Sequence, residues 1–301
     1  MGTDVVVDET KSLKVAVLGV GMMGVPLATH LARAGYSVRV WDINEANMAP
    51  LRNEGIEACE SAKRATESVD VILTMMTDAD AVLDVMVGSH AALGDFNGLW
   101  IQSTTVGVEG TRKLYDVARK AGTTYVDAPL LGTKSVAEAG NLTALGSGSE
   151  EARKQSEPIL SSFCSTILWL GEVGQSSKFK LVLNSWILGL ATLTAETIAL
   201  CTSFGFPAEN FLDFISGGPF DVDQAHIKGG AIIAEDFSPF LALRLASKDA
   251  GLVVAASEEL GISLRVARAV FEQMREAQAL GHGEEDYAAV WFATSANPVA
   301  K

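Results

Sequence analysis

Gly19, Gly21 and Gly24, in the run Gly19-Val20-Gly21-Met22-Met23-Gly24, have the spacing of a turn that wraps a phosphate. The first glycine permits a tight turn, the second lets backbone approach a pyrophosphate, and the third lets helix and strand pack closely. The apolar run 15–20 precedes the turn, and helical spacing through Val25, Leu27, Ala28, Leu31 and Ala34 follows it. In that context the helix start offers unpaired N–H groups and a partial positive charge to the phosphates, with Met22 and Met23 inside the contact region. Asp42 closes the second apolar run, 18 residues after Gly24. A carboxylate there can accept hydrogen bonds from ribose hydroxyls. A 2′-phosphate would meet that negative charge, and neither Ile43 nor Asn44 offers a guanidinium. NAD is therefore the expected dinucleotide, with NADP left open by Arg39 nearby. The plainer alternatives are a glycine turn without ligand and an Asp42 that caps the next helix.

These residues need a parallel sheet to hold them. Strands are expected at 15–20, 37–42, 69–76, 99–104, 124–128, 142–145 and 166–170, with helices between them, the alternation of a doubly wound α/β domain. Gly35 is placed to stop the first helix. Strand signals end after Gly171, and from Ser176 to about Ser203 the chain reads as one helix, apolar nearly all round, which must be covered on most sides. Phe206-Pro207, Gly217-Gly218-Pro219, Ser238-Pro239, Gly261 and Gly281 punctuate the rest into shorter helices. The expected fold is α/β: an N-terminal Rossmann domain with a mostly parallel sheet (12–173), a long interdomain helix (174–203) and an all-helical C-terminal domain (204–301), after a flexible tail (1–11).

A chain of 301 residues with 48% apolar content can bury two cores. Its net charge of -14 argues against a nucleic-acid or anionic-membrane surface, since displacing phosphate counterions needs a basic footprint. Small anionic substrates would then need locally placed lysines. The three cysteines, Cys59, Cys164 and Cys201, lack metal or disulfide spacing and read as packing residues in a reducing compartment. The first eleven residues lack the features of a secretory signal, and no run of about 18 consecutive apolar residues marks a membrane span. A cytoplasmic enzyme without metal, membrane or nucleic-acid partners is expected, and its apolar helical domain suits a homo-oligomer, dimer or tetramer.

Four stretches taken together resemble the β-hydroxyacid dehydrogenases, the 3-hydroxyisobutyrate dehydrogenase-like family. They are the glycine turn, Asp127-Ala128-Pro129-Leu130-Leu131-Gly132-Thr133-Lys134, Gly171-Glu172-Val173-Gly174 with Lys180 and Asn184, and Lys248-Asp249. The likeness spans 14–292, and 132–140 looks most like the glyoxylate/succinic semialdehyde reductase branch. The resemblance implies an NAD(P)-dependent enzyme moving hydride between the nicotinamide and a small β-hydroxyacid or semialdehyde. It makes Lys180 the general acid/base, with Asn184 one turn on to orient the substrate oxygen. It places Met76, Thr77 and Thr105 beside the cofactor at strand ends, and has Lys248 closing over cofactor and substrate. Without it, Lys180 would read as a snorkelling lysine on a buried helix, Thr105 as a cap and Lys248 as a surface residue.

Leu131 departs from the family pattern, which has a carboxylate-binding serine there. Substrate binding at Leu131, Gly132 and Thr133 must then rely on backbone N–H groups or lysines, or the substrate differs. Phe220, Asp223, His226, Phe237 and Trp186 are candidates to shape a less polar pocket, each more ordinary as core or surface. Two other readings stand: an imine reductase relative acting on a C=N bond, which Leu131 favours and Lys180 opposes, and a non-catalytic dinucleotide sensor or scaffold.

Overall fold

The structure, a computed structural model, describes residues 13–294; the expected tail over 1–11 and the last residues of the expected helical domain lie outside that range. The chain divides into two compact units. The first runs to Thr104 and resumes over Arg112–Ser176; the second holds Thr105–Thr111 and the chain from Ser177 onward.

In the first unit, β1 (Lys14–Leu18), β2 (Ser37–Trp41), β3 (Glu57–Ala58), β4 (Val71–Thr74), β5 (Leu99–Gln102) and β6 (Thr124–Asp127) form a parallel sheet of order β3-β2-β1-β4-β5-β6. All four residues of β4 and of β5 are buried, as expected of parallel strands covered on both faces. The connecting helices include α1 (Gly24–Arg33), α2 (Ala62–Thr66), α3 (Ala79–Val87) and, from Arg112 onward, α4 (Gly107–Ala121), and a 3₁₀ segment spans Glu45–Glu54. Leu27, Ala28 and Leu31 of α1 pack with Val15, Val17, Met48 and Leu51 in one core. Gly35, at φ +91°, follows α1 as expected.

The sequence reading missed β3, whose two residues pair Arg39 with Glu57 and Val40 with Ala58 and are too few to show a period. The last two expected strands leave the main sheet. They are β8 (Leu142–Gly146) and β9 (Cys164–Trp169), which pair in parallel and form a separate sheet with β7 (Leu130–Leu131), antiparallel to β8. Pro129, with no N–H to give a ladder, stands where the chain passes from one sheet to the other. Two more helices, α5 (Lys134–Glu138) and α6 (Glu150–Leu160), lie in this part of the unit.

The long helix α7 (Gln175–Ser203) leads into the second unit, followed by α8 (Glu209–Ile215), α9 (Asp223–Ile233), α10 (Leu243–Glu259) and α11 (Arg265–Ala277). Each Gly/Pro punctuation point up to Gly261 falls between helices, and Gly281, at φ +105°, interrupts the helical turn after α11. Among the described residues α7 alone is long and apolar enough to cross a bilayer, yet its Leu188, Ala191, Ala195 and Ile198 lie in a core with Leu243, Ala246, Val270 and Met274. Val182, Trp186, Leu193 and Leu200 of the same helix are exposed. Among the described residues α7 is thus covered on the face that packs against this core and, through Leu181, against Val253 and Ala267, while the opposite face is exposed.

One buried ion pair supports this unit. Lys228 Nζ lies 2.7 Å from Asp286 Oδ1 and 3.8 Å from the centroid of the Tyr287 ring, while Asp286 also accepts the N–H groups of Phe240, Leu241 and Ala288. Burial pushes the Lys228 ammonium pKa down and Asp286 opposes it. The cysteines are free; burial drives the Cys164 thiol up to about 12 and raises Cys59.

Candidate functional site

The glycine turn stands after β1, where the sheet order changes direction and an open α/β sheet has its ligand crevice. Gly19 has φ +90°, and a Cβ there would come within 2.3 Å of the Met75 carbonyl oxygen. A Cβ at Gly24 would come within 2.0 Å of the Gly19 oxygen. Both glycines are therefore required by the fold itself. Gly21 differs: a Cβ there meets no atom within 4 Å, so nothing in the protein demands a glycine. The start of α1 has no side-chain cap and no acidic residue in its first turn. Clear space over Gly21 and an uncapped, unopposed helix start fit a dinucleotide pyrophosphate.

Asp42 is buried, and its carboxylate ties three segments together. Oδ2 accepts the Val20 N–H at 2.8 Å, while Oδ1 accepts the Asn44 N–H at 2.8 Å and Asn47 Nδ2 at 3.1 Å. Asn44, not Asp42, caps the following 3₁₀ segment, accepting from Ala46 N. Arg39, the residue that kept NADP open, is turned to Glu57 Oε2 at 3.0 Å and the Glu67 carbonyl at 2.7 Å. The β2–β3 register sets Arg39 opposite Glu57. After β4, the Met76 N–H donates to Thr104 Oγ1 at 2.8 Å, and the exposed Thr77 hydroxyl donates to Asp78. Leu131 pairs with Thr143 and is half-buried. Gly132, at φ +137°, packs so that a Cβ would lie 2.6 Å from Leu142 Cδ2, and the Thr133 hydroxyl meets that of Ser135 at 2.9 Å.

The second unit gathers the other candidates. Lys180 and Asn184 are buried on α7, and Asn184 Nδ2 donates to Asp249 Oδ2 of α10 at 3.0 Å. Lys248 Nζ forms an ion pair with Asp249 Oδ1 at 2.8 Å and donates to the Thr105 carbonyl at 2.6 Å. Burial lowers the Lys180 ammonium from 10.5 to about 8, with Asp249 opposing that shift and Lys248 adding to it. A lysine near 8 exists in both protonation states around neutrality, as proton transfer in either direction requires. Asp249 entered the sequence reading only as the neighbour of Lys248; an acidic residue beside a candidate lysine was the available signal.

The proposed pocket-shaping residues do not gather there. Phe237 packs in the helical core against Phe292, Trp186 and Phe220 are exposed, and His226 Nε2 lies 2.6 Å from Asp221 Oδ1. Asp223 opens α9.

Comparison with known proteins completes the picture. Residues 14–171 match the family described as the NAD binding domain of 6-phosphogluconate dehydrogenase, and residues 174–293 match the NAD-binding domain of NADP-dependent 3-hydroxyisobutyrate dehydrogenase. The chain is 32% identical over 287 residues to 2-(hydroxymethyl)glutarate dehydrogenase of Eubacterium barkeri, covering 93% of this chain and 94% of that one. It is 28% identical to the chloroplastic glyoxylate/succinic semialdehyde reductase 2 of Arabidopsis thaliana, covering 94% and 80%. The crystal structure of a 3-hydroxyisobutyrate dehydrogenase from Salmonella typhimurium superposes with a TM-score of 0.86 at 25% identity, covering 93% of this chain and 99% of that one. This chain belongs to the 3-hydroxyisobutyrate dehydrogenase-like β-hydroxyacid dehydrogenase family and is an NAD(P)-dependent oxidoreductase.

Proposed function

We propose that the enzyme interconverts a small β-hydroxyacid and its carbonyl form with NAD as the preferred cofactor, and that Lys180 is the general acid/base. The observation that carries this reading is the buried Lys180, lowered to about 8 beside Asn184, Lys248 and Asp249. When bound, the nicotinamide supplies or accepts the hydride. In the reducing direction the Lys180 ammonium gives its proton to the oxygen of the carbonyl, and in the oxidising direction its amine takes the proton from the hydroxyl. Asn184, held by Asp249, keeps a fixed orientation toward the substrate oxygen. Gly19, Gly21, Met22, Met23 and Gly24 hold the pyrophosphate. Met76 and Thr77 lie beside the nicotinamide, as does Thr105, whose carbonyl is held by Lys248. Gly132 and Thr133 offer backbone N–H groups to the substrate acid, and the Leu131 side chain supplies an apolar wall.

The NAD preference rests on Asp42 and Arg39. Asp42 already accepts three protein N–H groups, and a carboxylate has about four acceptor positions, which leaves room for one ribose hydroxyl. The Arg39 guanidinium is committed to Glu57 and Glu67, away from any 2′-phosphate. The exposed Val182, Trp186, Leu193 and Leu200 of α7 support a homo-oligomer, to be checked by light scattering of the eluting enzyme. The deciding experiment is Lys180→Ala, assayed on a panel of short hydroxyacids, semialdehydes and cyclic imines. Retained cofactor affinity with lost turnover supports the reading; undiminished turnover refutes it.

A further inference from the structure

The ends of β4 and β5 carry a sealed polar network that the proposed chemistry does not use. Trp100, Thr74, Gln102 and Thr104 are all fully buried. The Trp100 indole N–H donates to Thr74 Oγ1 at 3.0 Å, so the Thr74 hydroxyl hydrogen is left to reach Gln102 Oε1, 3.4 Å away. Gln102 then grips Thr104 at two points: its Oε1 accepts the Thr104 N–H at 2.7 Å, and its Nε2 donates to the Thr104 carbonyl at 2.8 Å. Only one orientation of the amide satisfies both contacts, so the Gln102 side chain cannot flip without losing them. β5 ends at Gln102, and buried backbone beyond it still needs partners. The amide of Gln102 takes the place of a neighbouring strand for Thr104. Thus fixed, Thr104 presents its hydroxyl oxygen to the Met76 N–H at 2.8 Å, a contact that spans 28 residues of sequence.

We infer that Gln102 and Thr104 are positioning residues that set the Met75-Met76-Thr77 turn for the nicotinamide half of the cofactor, through the single Thr104 Oγ1 to Met76 N hydrogen bond. A turn against a reacting ring needs placement to about half an ångström, and a buried amide clamp on a central strand gives more rigidity than loop contacts do. A plain strand-end role would be met by the Gln102–Thr104 grip alone; the onward bond to Met76 is the part that reaches the site. This inference rests on the placement of the nicotinamide beside Met76 proposed above.

The test uses two ligands that share the adenosine and pyrophosphate, NADH and ADP-ribose, and two variants, Thr104→Val and Gln102→Met. Thr104→Val keeps the side-chain shape and removes the acceptor, so it is the variant expected to fold normally. Losing that acceptor should weaken NADH about tenfold while leaving ADP-ribose within about twofold, since the pyrophosphate cradle is untouched. Gln102→Met should produce the same split. Equal weakening of both ligands, or no weakening of either, overturns the inference. In the wild type, the 13C-methyl resonance of Met76 should shift more with NADH than with ADP-ribose. No such difference refutes the nicotinamide placement, and the inference with it. A Met76 response without the affinity split leaves the placement standing and removes the clamp's role.

Discussion

The protonation of Lys180 can be perturbed in two opposite directions. Its pKa of about 8 derives from burial, opposed by Asp249 and reinforced by Lys248. At pH 7.5 such a lysine is about one quarter amine, against about one part in a thousand for a lysine at 10.5, a gain of about 200-fold in available base. Three quarters of the population still carries the proton needed for reduction. Oxidation should therefore rise about tenfold per pH unit up to about 8 and then level, whereas reduction should be level below 8 and fall above it. Asp249→Asn removes the opposing carboxylate and should move the inflection to lower pH; Lys248→Met removes a like charge and should move it higher. An interaction of about 1.4 kcal/mol corresponds to about one pH unit. Initial rates followed through the reduced nicotinamide absorbance from pH 6 to 10 give both limbs. Inflections moving in the same direction in the two variants, or an unmoved inflection in residual Lys180→Met activity, would refute the assignment. Stability gives a second check. The folded pKa is depressed, so between about 8 and 10.5 the unfolded chain binds the extra proton and folding is favoured as pH rises. Below 8 the cost of burying the ammonium is fully present, about 3 kcal/mol. Lys180→Met should raise Tm at pH 7 and lose that advantage above pH 10.5, whereas an equal loss of Tm at every pH contradicts the burial argument.

Gly21→Ala should leave Tm within a degree or two and weaken NADH at least tenfold, because its Cβ meets only ligand space; in Gly24→Ala the contact with the Gly19 oxygen should cost about 2 kcal/mol of stability. Thermal melts and NADH titration of the pair separate the two glycines, and equal destabilisation would contradict the geometry. For Asp42→Ala, loss of the anchor for Val20, Asn44 and Asn47 should lower stability by about 2 kcal/mol and narrow the NADH to NADPH affinity ratio. Tighter NADPH than NADH binding by the wild type would refute the cofactor preference. Lys228→Met leaves Asp286 buried without its ammonium and should destabilise the helical unit by about 3 kcal/mol or more, read by denaturant titration. ADP-ribose affinity should be unchanged, and a parallel loss would show that the effect is not confined to that unit.

Much of the cofactor unit was legible because its signals are local. Gly19 and Gly24 are dictated by contacts close in the chain or across one strand, and β4 and β5 show in the sequence through the apolar runs Val71-Ile72-Leu73 and Leu99-Trp100-Ile101. The two-residue strands Glu57–Ala58 and Leu130–Leu131 carry no period, so the extra pairing and the second sheet could not be read. For α7 the limit is similar: an all-round apolar helix announces that it needs cover but not how much of that cover its own chain provides, and the described residues leave Val182, Trp186, Leu193 and Leu200 exposed.

The glycine turn, the strand and helix alternation and the long α7 were settled by backbone sterics and hydrophobic periodicity, which act over a few residues. What Asp42, Arg39 and Lys180 can do was settled elsewhere. Asp42 is shared among Val20, Asn44 and Asn47, Arg39 is drawn to Glu57 and Glu67, and Asn184 meets Asp249 across 65 residues of sequence. Proton affinity and charge pairing depend on burial and on whichever charges the fold brings near. A lysine on an apolar helix is ambiguous until α10 is packed beside it, and only the tertiary structure supplies that neighbour.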